Sequence, residues 1–279
     1  MKNRHVLGEA VRHLILIILA LYTLAPLLFL FVNAFKSNNE IIASPVALPE
    51  HWTLQYIKTA MEAINFGKAL GLTFIITFFS ILLLVIVSSF AAWAMVRSKT
   101  ILSNIVFLCF TAAMLVPFLS LMYPLLSVFE KMGLKNVQGL ILMYGGFGLS
   151  MSVFLYHGFI KSVPASLEEA AVLDGANLFQ MFFKVVFPLL KGTTVTVIVL
   201  NGMWIWNDYL LPFLVIGNKT GSKTLTLELY FAKLTSGQYG NPWELIFPAV
   251  FVTIIPIIIL YIFLQKYIVA GVSEGAVKM

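Results

Sequence analysis

"HLILIILALYTLAPLLFLFV", residues 13–32, carries no Asp, Glu, Lys or Arg. The hydrophobic core of a secretory signal is about 7–15 residues long and ends at a small-x-small cleavage site. This run is longer, and no such site follows it. Its length suits a helix crossing the hydrocarbon of a bilayer, which takes about 20 apolar residues. It is expected to be a retained first membrane span.

The rest of the chain repeats the pattern. Further apolar segments lie at about 70–96, 101–127, 138–160, 192–216 and 244–269; with 13–34 they make six. The composition agrees: 60% of the 279 residues are hydrophobic, 11% are charged, and the mean hydropathy is +0.96. A soluble domain carries about 25% charged residues. A lipid-exposed backbone must satisfy its hydrogen bonds within its own segment, so the spans should be helices. The expected fold is an all-α membrane protein, a single transmembrane domain over 1–279 with six transmembrane helices. No internal repeat stands out. The net charge of +6 comes from scattered lysines rather than a basic cluster, which argues against nucleic acid. Cys109, the one cysteine, excludes an internal disulfide and is expected to be a small buried packing residue.

Charge sets the orientation. With the N-terminus cytoplasmic, ten Lys and Arg fall inside, including all three arginines, and eight fall outside. The short link "VRSKT", 96–100, has two positive charges and no acid. By the positive-inside rule, both termini and the segment 161–191 should be cytoplasmic. The outer side then carries two sizeable loops. The first contains a helix-like stretch near 53–65; the second, "GNKTGSKTLTLELYFAKLTSGQYGNPW" (217–243), alternates β-like and glycine-rich pieces.

Segment 161–191 is unusual because it is charged. "SVPASLEEAAVLDGAN" (162–177) places Glu168, Glu169 and Asp174 close together, although the chain has only twelve acidic residues. Ser166 with Glu169 three residues later has the spacing of a capping box. Two glutamates in the first turn suit the helix dipole. Gly175 fits the position that ends a helix in the left-handed conformation. A second helix should start near 177, and Pro188 should mark the turn toward the next span. The expectation is a helix-turn-helix outside the bilayer. Asp174 opposes the dipole at the helix end, which points to a partner beyond the chain. A solvated connector between two spans would also fit the residues.

These residues carry a resemblance. Glu169-Ala170-Ala171, then Gly175, then Val185-x-Phe187-Pro188 resembles the EAA motif of ATP-binding cassette (ABC) importer permeases. "VPASLEEAAVLDGANLFQMFFKVVFPLLKG" (163–192) is similar to the form found in the carbohydrate-uptake branch. The likeness extends over nearly the whole chain. It takes in "AFKSNNEIIASPVALPEHWTLQYI" (34–57), "SSFAAWAMVR" (88–97), "WNDYLLPFLV" (206–215) and a tail of the "GAVK" type shared with maltose-type G permeases. The family usually has Ile and Leu where this chain has Val185 and Phe187, and many relatives have proline where Ser150 or Met151 stands.

The resemblance implies a transport subunit that is not itself an enzyme, with no cofactor bound by this chain and ATP and Mg held by a separate subunit. It implies a second homologous permease, a dimeric cytoplasmic ATPase and an extracytoplasmic carbohydrate-binding protein as partners. It also implies a multi-pass location in a bacterial or archaeal plasma membrane, surrounded by lipid. Glu168, Glu169, Ala170, Ala171, Asp174, Gly175 and Pro188 become the residues of a cytoplasmic coupling loop (161–191) that docks on the ATPase. Ser273, Glu274, Gly275 and Lys278 of the tail 270–279 become contacts to the same dimer.

One further polar group stands out. "NGMWIWNDYLLP" (201–212) places Asn201, Trp204, Asn207 and Asp208 within the apolar fifth segment. Asn201, Trp204 and Asp208 have the spacing of one helix face. A carboxylate at membrane depth costs about 2.5 kcal/mol or more at the midplane. Two uses fit: hydrogen-bonding between helices, or a translocation path where tryptophan meets a sugar ring and amides meet hydroxyls.

The chain has no G-x-x-x-x-G-K-[ST] loop, so it is not the ATPase itself. A self-contained secondary transporter for a small polar solute is the alternative; that class favours inverted repeats and intramembrane charges. The four histidines, His5, His13, His51 and His157, are dispersed and outline no enzyme site.

Overall fold

The computed structural model describes residues 2–217, 223–236 and 241–276, and every regular element among them is helical. In order these are α1 (Lys2–Asn33), α2 (Asn38–Ala43), α3 (Gln55–Ala63), α4 (Phe66–Ser98), α5 (Ile101–Ala113), α6 (Phe118–Lys131), α7 (Val137–Ile160), α8 (Ser166–Leu173) and α9 (Leu178–Met181). A π-helical turn, Phe182–Val186, leads into α10 (Phe187–Leu189). Then follow α11 (Lys191–Asn207), α12 (Leu210–Val215), α13 (Leu225–Ser236) and α14 (Trp243–Ala276).

Four helices are long and apolar enough to cross a membrane: Val11–Asn33, Phe66–Ser98, Val137–Ile160 and Trp243–Phe263. Two bent pairs raise the number to six if each is one span: Ile101–Ala113 with Phe118–Lys131, at 107°, and Leu178–Leu189 with Lys191–Asn207, at 77°. The third segment is therefore not the continuous helix expected over 101–127. Pro117 explains the break. It sits at the N-cap of α6 with ψ 135°, and a proline pushes the residue before it out of the helical region.

The fifth segment is broken as well. α11 stops at Asn207, and Asp208 is extended at φ −74°, ψ 131°. Its Oδ1 accepts from the Leu210 N–H at 2.9 Å, so the side chain turns the backbone instead of continuing the helix. Pro212 has no N–H to give the carbonyl of residue 208 four positions earlier. That carbonyl accepts from Thr226 Oγ1 at 2.7 Å. The loop 217–243 is not β-like in its described part: residues 225–236 are helical. Cys109 is exposed rather than buried, on the outward face of α5.

The chain divides into two compact units. The first comprises residues 1–67 and 228–256. Phe29 and Phe31 of α1 pack edge-on against Phe247 and Phe251 of α14, with ring centroids 5.6 and 5.7 Å apart. Ala60 and Ile64 at the end of α3 form a small core with Ala249 and Val252. The loop after α1 is held by buried Lys36, whose Nζ donates to the Ser44 carbonyl at 2.9 Å. A capping box starts α2: Ser37 Oγ accepts from the Glu40 N–H, and Glu40 Oε2 accepts from the Ser37 N–H at 2.8 Å.

The second unit comprises residues 68–227 and 257–279. Its core joins α4, α7, the π turn and α11 through Val85, Trp93, Val153, Tyr156, Phe182 and Val197. α7 approaches its neighbours closely because its glycines have no side chain. A Cβ on Gly148 would come within 2.6 Å of Asn201 Oδ1 and 2.7 Å of Leu84 Cδ1, the close approach small residues permit between membrane helices.

Candidate functional site

The segment 161–191 is a helix-turn-helix whose acidic end is tied to α4. Glu168 lies in the first turn of α8 and is buried, which an unpaired carboxylate does not tolerate. Arg97, in the last turn of α4, donates to Glu168 Oε1 from Nε at 2.8 Å and from an Nη at 2.7 Å. The same guanidinium donates to the Val163 carbonyl at 3.0 Å. Trp93 Nε1 donates to Glu168 Oε2 at 3.0 Å. Both carboxylate oxygens are satisfied, and three bonds from α4 fix where α8 begins. Beneath it, Trp93 packs on Phe90 and Phe182, which lie 4.9 Å apart edge to face.

The expected capping box at Ser166 is absent. Ala165 occupies the N-cap with helical dihedrals and no side-chain bond, so Ser166 is already inside the helix. Glu169 is exposed and has no capping role. The capping box in this segment belongs to Asn177 and Gln180, which start α9. Ala171 is buried in the core and Ala170 is exposed.

Gly175 ends α8 at φ +79°. Its N–H donates to the Val172 carbonyl at 3.0 Å, and the Ala176 N–H donates to the Ala171 carbonyl at 2.9 Å. These are the paired bonds of a Schellman motif. Asp174 is the C-cap and is exposed. Around this turn Val172, Leu173, Leu178 and Phe179 are exposed, Leu173 by 88%. An apolar cluster at this turn was not visible as a pattern in the sequence, where these residues read as ordinary helix positions. Pro188 lies near the start of α10, two residues before the bend at Leu190.

The polar residues of the fifth segment separate into different environments. Asn201 is buried, and its Nδ2 donates to Ser152 Oγ at 3.1 Å and to the Val197 carbonyl at 2.9 Å. Asp208 Oδ2 accepts from the hydroxyl of fully buried Tyr144 at 2.9 Å. Tyr144 also meets Trp204 edge to face at 5.4 Å. Trp204 is 40% exposed, and Asn207 is exposed with its amide on the Met203 carbonyl. Asn201 and Trp204 line a cavity of about 630 Å³, together with Met114, Phe118, Phe147 and Gly148. Ser150 and Met151 line it too. Tyr144 and Ser152 escaped the sequence reading because nothing in α7 marks them as partners of α11. Of the tail residues, Ser273, Glu274 and Gly275 continue the backbone of α14; Lys278 lies outside the described residues.

Comparison with known proteins gives this architecture a place. Residues 85–274 match the family described as binding-protein-dependent transport system inner membrane component. The chain is 43% identical over 262 residues to the probable starch degradation products transport system permease protein AmyC of Thermoanaerobacterium thermosulfurigenes, covering 94% of each chain. It is 34% identical, over the full length of both, to the multiple sugar-binding transport system permease protein MsmG of Streptococcus mutans. A bacterial ABC transporter involved in the import of the acidic polysaccharide alginate contains a chain of the same fold, at TM-score 0.77 and 23% identity, covering 96% of this chain and 98% of that one. The protein belongs to the family of inner-membrane permease components of binding-protein-dependent transport systems.

Proposed function

We propose that the chain is a permease subunit of an ATP-driven carbohydrate importer. It forms a translocation path with a second, homologous permease and is driven by a dimeric cytoplasmic ATPase that carries ATP and Mg. An extracytoplasmic carbohydrate-binding protein delivers the substrate. The sugar assignment is supported by relatives named for starch degradation products, multiple sugars and melibiose, raffinose and stachyose. Dependence on a binding protein, a property of the family, removes the reason to prefer a self-contained secondary transporter.

The observation that supports the coupling role is the exposed apolar turn at Val172, Leu173, Leu178 and Phe179, next to a helix start fixed by Arg97 and Trp93. Exposed apolar groups gathered at one place mark an interaction site. Glu169, Ala170 and Asp174 border this turn, while Glu168, Ala171, Gly175 and Pro188 shape it. In this reading residues 161–191, the N-terminus and the tail are cytoplasmic, which agrees with the excess of Lys and Arg assigned to that side. The tail from Ser273 to Met279, with Glu274, Gly275 and Lys278, lies against the same ATPase dimer. Trp204 offers a ring face to a sugar, and Asn207 an amide; Asn201 and Asp208 hold that face in place.

Mass spectrometry of the gently solubilised complex tests the assembly. A second permease and an ATPase should copurify, and Leu173→Asp or Phe179→Asp should release the ATPase while the two permeases stay together. Purification of the chain with neither partner overturns the proposal.

A further inference from the structure

A second cavity, of about 790 Å³, opens beside the start of the loop 161–191, at the end of the spans where α4 passes into α5 and α7 ends. Its polar lining holds three cations, Arg97, Lys99 and Lys161, with the imidazole of His157 and the amide of Asn104. Among the described residues, no Asp or Glu lines it. The Arg97 charge is matched by Glu168. Lys99 and Lys161 are exposed and take part in none of the ion pairs found among the described residues. Lys99 occupies the two-residue link between helices at φ +47°, a conformation that a residue with a Cβ adopts at a cost of about 1 kcal/mol or more. Solvation alone does not call for a lysine at such a tight turn.

The remaining wall is apolar and runs deeper. Phe107 stacks on His157 with ring centroids 3.6 Å apart and planes 15° apart, and Lys161 Nζ lies 5.9 Å from the same ring. Leu108 beside it is 66% exposed. Phe107 and Leu108 are six and seven residues into α5, about 10 Å along the helix from its start. Ser98 and Ile160 end α4 and α7, so the two lysines stand just past the ends of two span-length helices, while Leu108 lies within the apolar run of α5. The N-terminus of α5 adds partial positive charge at the lysine end.

We infer that this cavity is a binding site for an anionic glycerophospholipid, with the phosphate between Lys99 and Lys161 and an acyl chain along Phe107 and Leu108. The shared chemistry is a phosphate ester. A free phosphate would use the lysines but gain nothing from the apolar wall, so the combination favours lipid. The inference rests on the chain spanning a membrane and not on its substrate.

The test uses the whole transporter in phosphatidylcholine nanodiscs containing a minor fraction of phosphatidylglycerol, with lipid retention read by native mass spectrometry. At about 1 kcal/mol per lysine, Lys99→Gln with Lys161→Gln should weaken phosphatidylglycerol retention about 30-fold. Phosphatidylcholine retention should not change, and the Lys→Arg pair should keep the lipid. Both lysines are exposed, so neither change removes packing, and copurification of the partner subunits verifies assembly. Equal phosphatidylglycerol retention by wild type and the Gln pair overturns the site. Displacement of the retained lipid by inorganic phosphate overturns the lipid assignment in favour of a soluble anion.

Discussion

Arg97 and Glu168 are 71 residues apart along the chain and 2.7 Å apart in space. The contact joins the end of a membrane helix to the start of the loop helix, and both side chains are largely withdrawn from solvent. Removing one partner of a buried pair costs about 3–5 kcal/mol, with the partial exposure of Arg97 placing this case at the lower end. Arg97→Ala should therefore free the beginning of α8 without unfolding the spans. Limited proteolysis within 161–177 should speed up, and copurification of the ATPase should fall. Glu168→Gln should be milder, because its amide oxygen can still accept from Trp93. Unchanged proteolysis in Arg97→Ala would show that the aromatic packing alone holds the loop.

Gly175 gives a sharper contrast. Its φ of +79° is the left-handed region, yet a Cβ there would meet nothing within 4 Å. The cost of substitution is therefore one of backbone conformation, about 1–2 kcal/mol for most residues and less for asparagine. Gly175→Val should insert and express normally while uptake falls and ATPase activity stops responding to loaded binding protein. Gly175→Asn should retain most of both activities. Equal impairment by the two substitutions would move the cause from conformation to contact with a partner.

Asp208 and Trp204 are expected to fail differently. Asp208→Ala removes the cap on Leu210 and leaves the Tyr144 hydroxyl unsatisfied in a buried place, at about 1–3 kcal/mol. Its thermal unfolding midpoint should drop together with uptake. Trp204→Ala should lower uptake and leave the midpoint nearly unchanged. A stable Asp208→Ala complex with wild-type uptake would dismiss the hinge at that residue.

Glu40 supplies a pH dependence. Hydrogen bonds from the Ser37 backbone, then from the Glu50 backbone and the Ser37 hydroxyl, hold its carboxyl below the ordinary value of 4.5. A folded-state pKa below the unfolded one contributes stability that is present above pH 4.5 and lost as pH falls through the folded value. Amide exchange over residues 37–50 should accelerate at acid pH relative to the acid-adjusted intrinsic rate. Glu40→Gln should abolish that dependence.

The expected segments and the observed helices correspond best where apolar length alone decides, as in 138–160 against Val137–Ile160. They part where a backbone bond has to be broken. Pro117 was visible, but proline also occurs inside α6 and α14 without ending either helix, so its effect depends on what surrounds it. Asp208 read as a helix-face carboxylate because its spacing from Trp204 fits; the competing local bond to Leu210 is invisible to spacing. Glu168 looked like one of two equivalent dipole-facing acids. Only the fold, by bringing Arg97 and Trp93 alongside, distinguishes it from exposed Glu169.

The fixation of α8 at one end makes it a cantilever. Its ion-paired anchor is Glu168, and its exposed end is the Leu173–Gly175 turn, where the proposed partner would apply a load. The five residue steps from Glu168 to Leu173 give an arm of about 7.5 Å, so a tilt of about 10° at the root moves the tip by about 1.3 Å. The gearing also runs backwards: a displacement imposed at the tip reaches α4 as a small rotation with increased force. Under the proposed coupling role, stiffness at the root, set by one arginine and one tryptophan, would decide how much of a stroke reaches the membrane and how much is lost as bending.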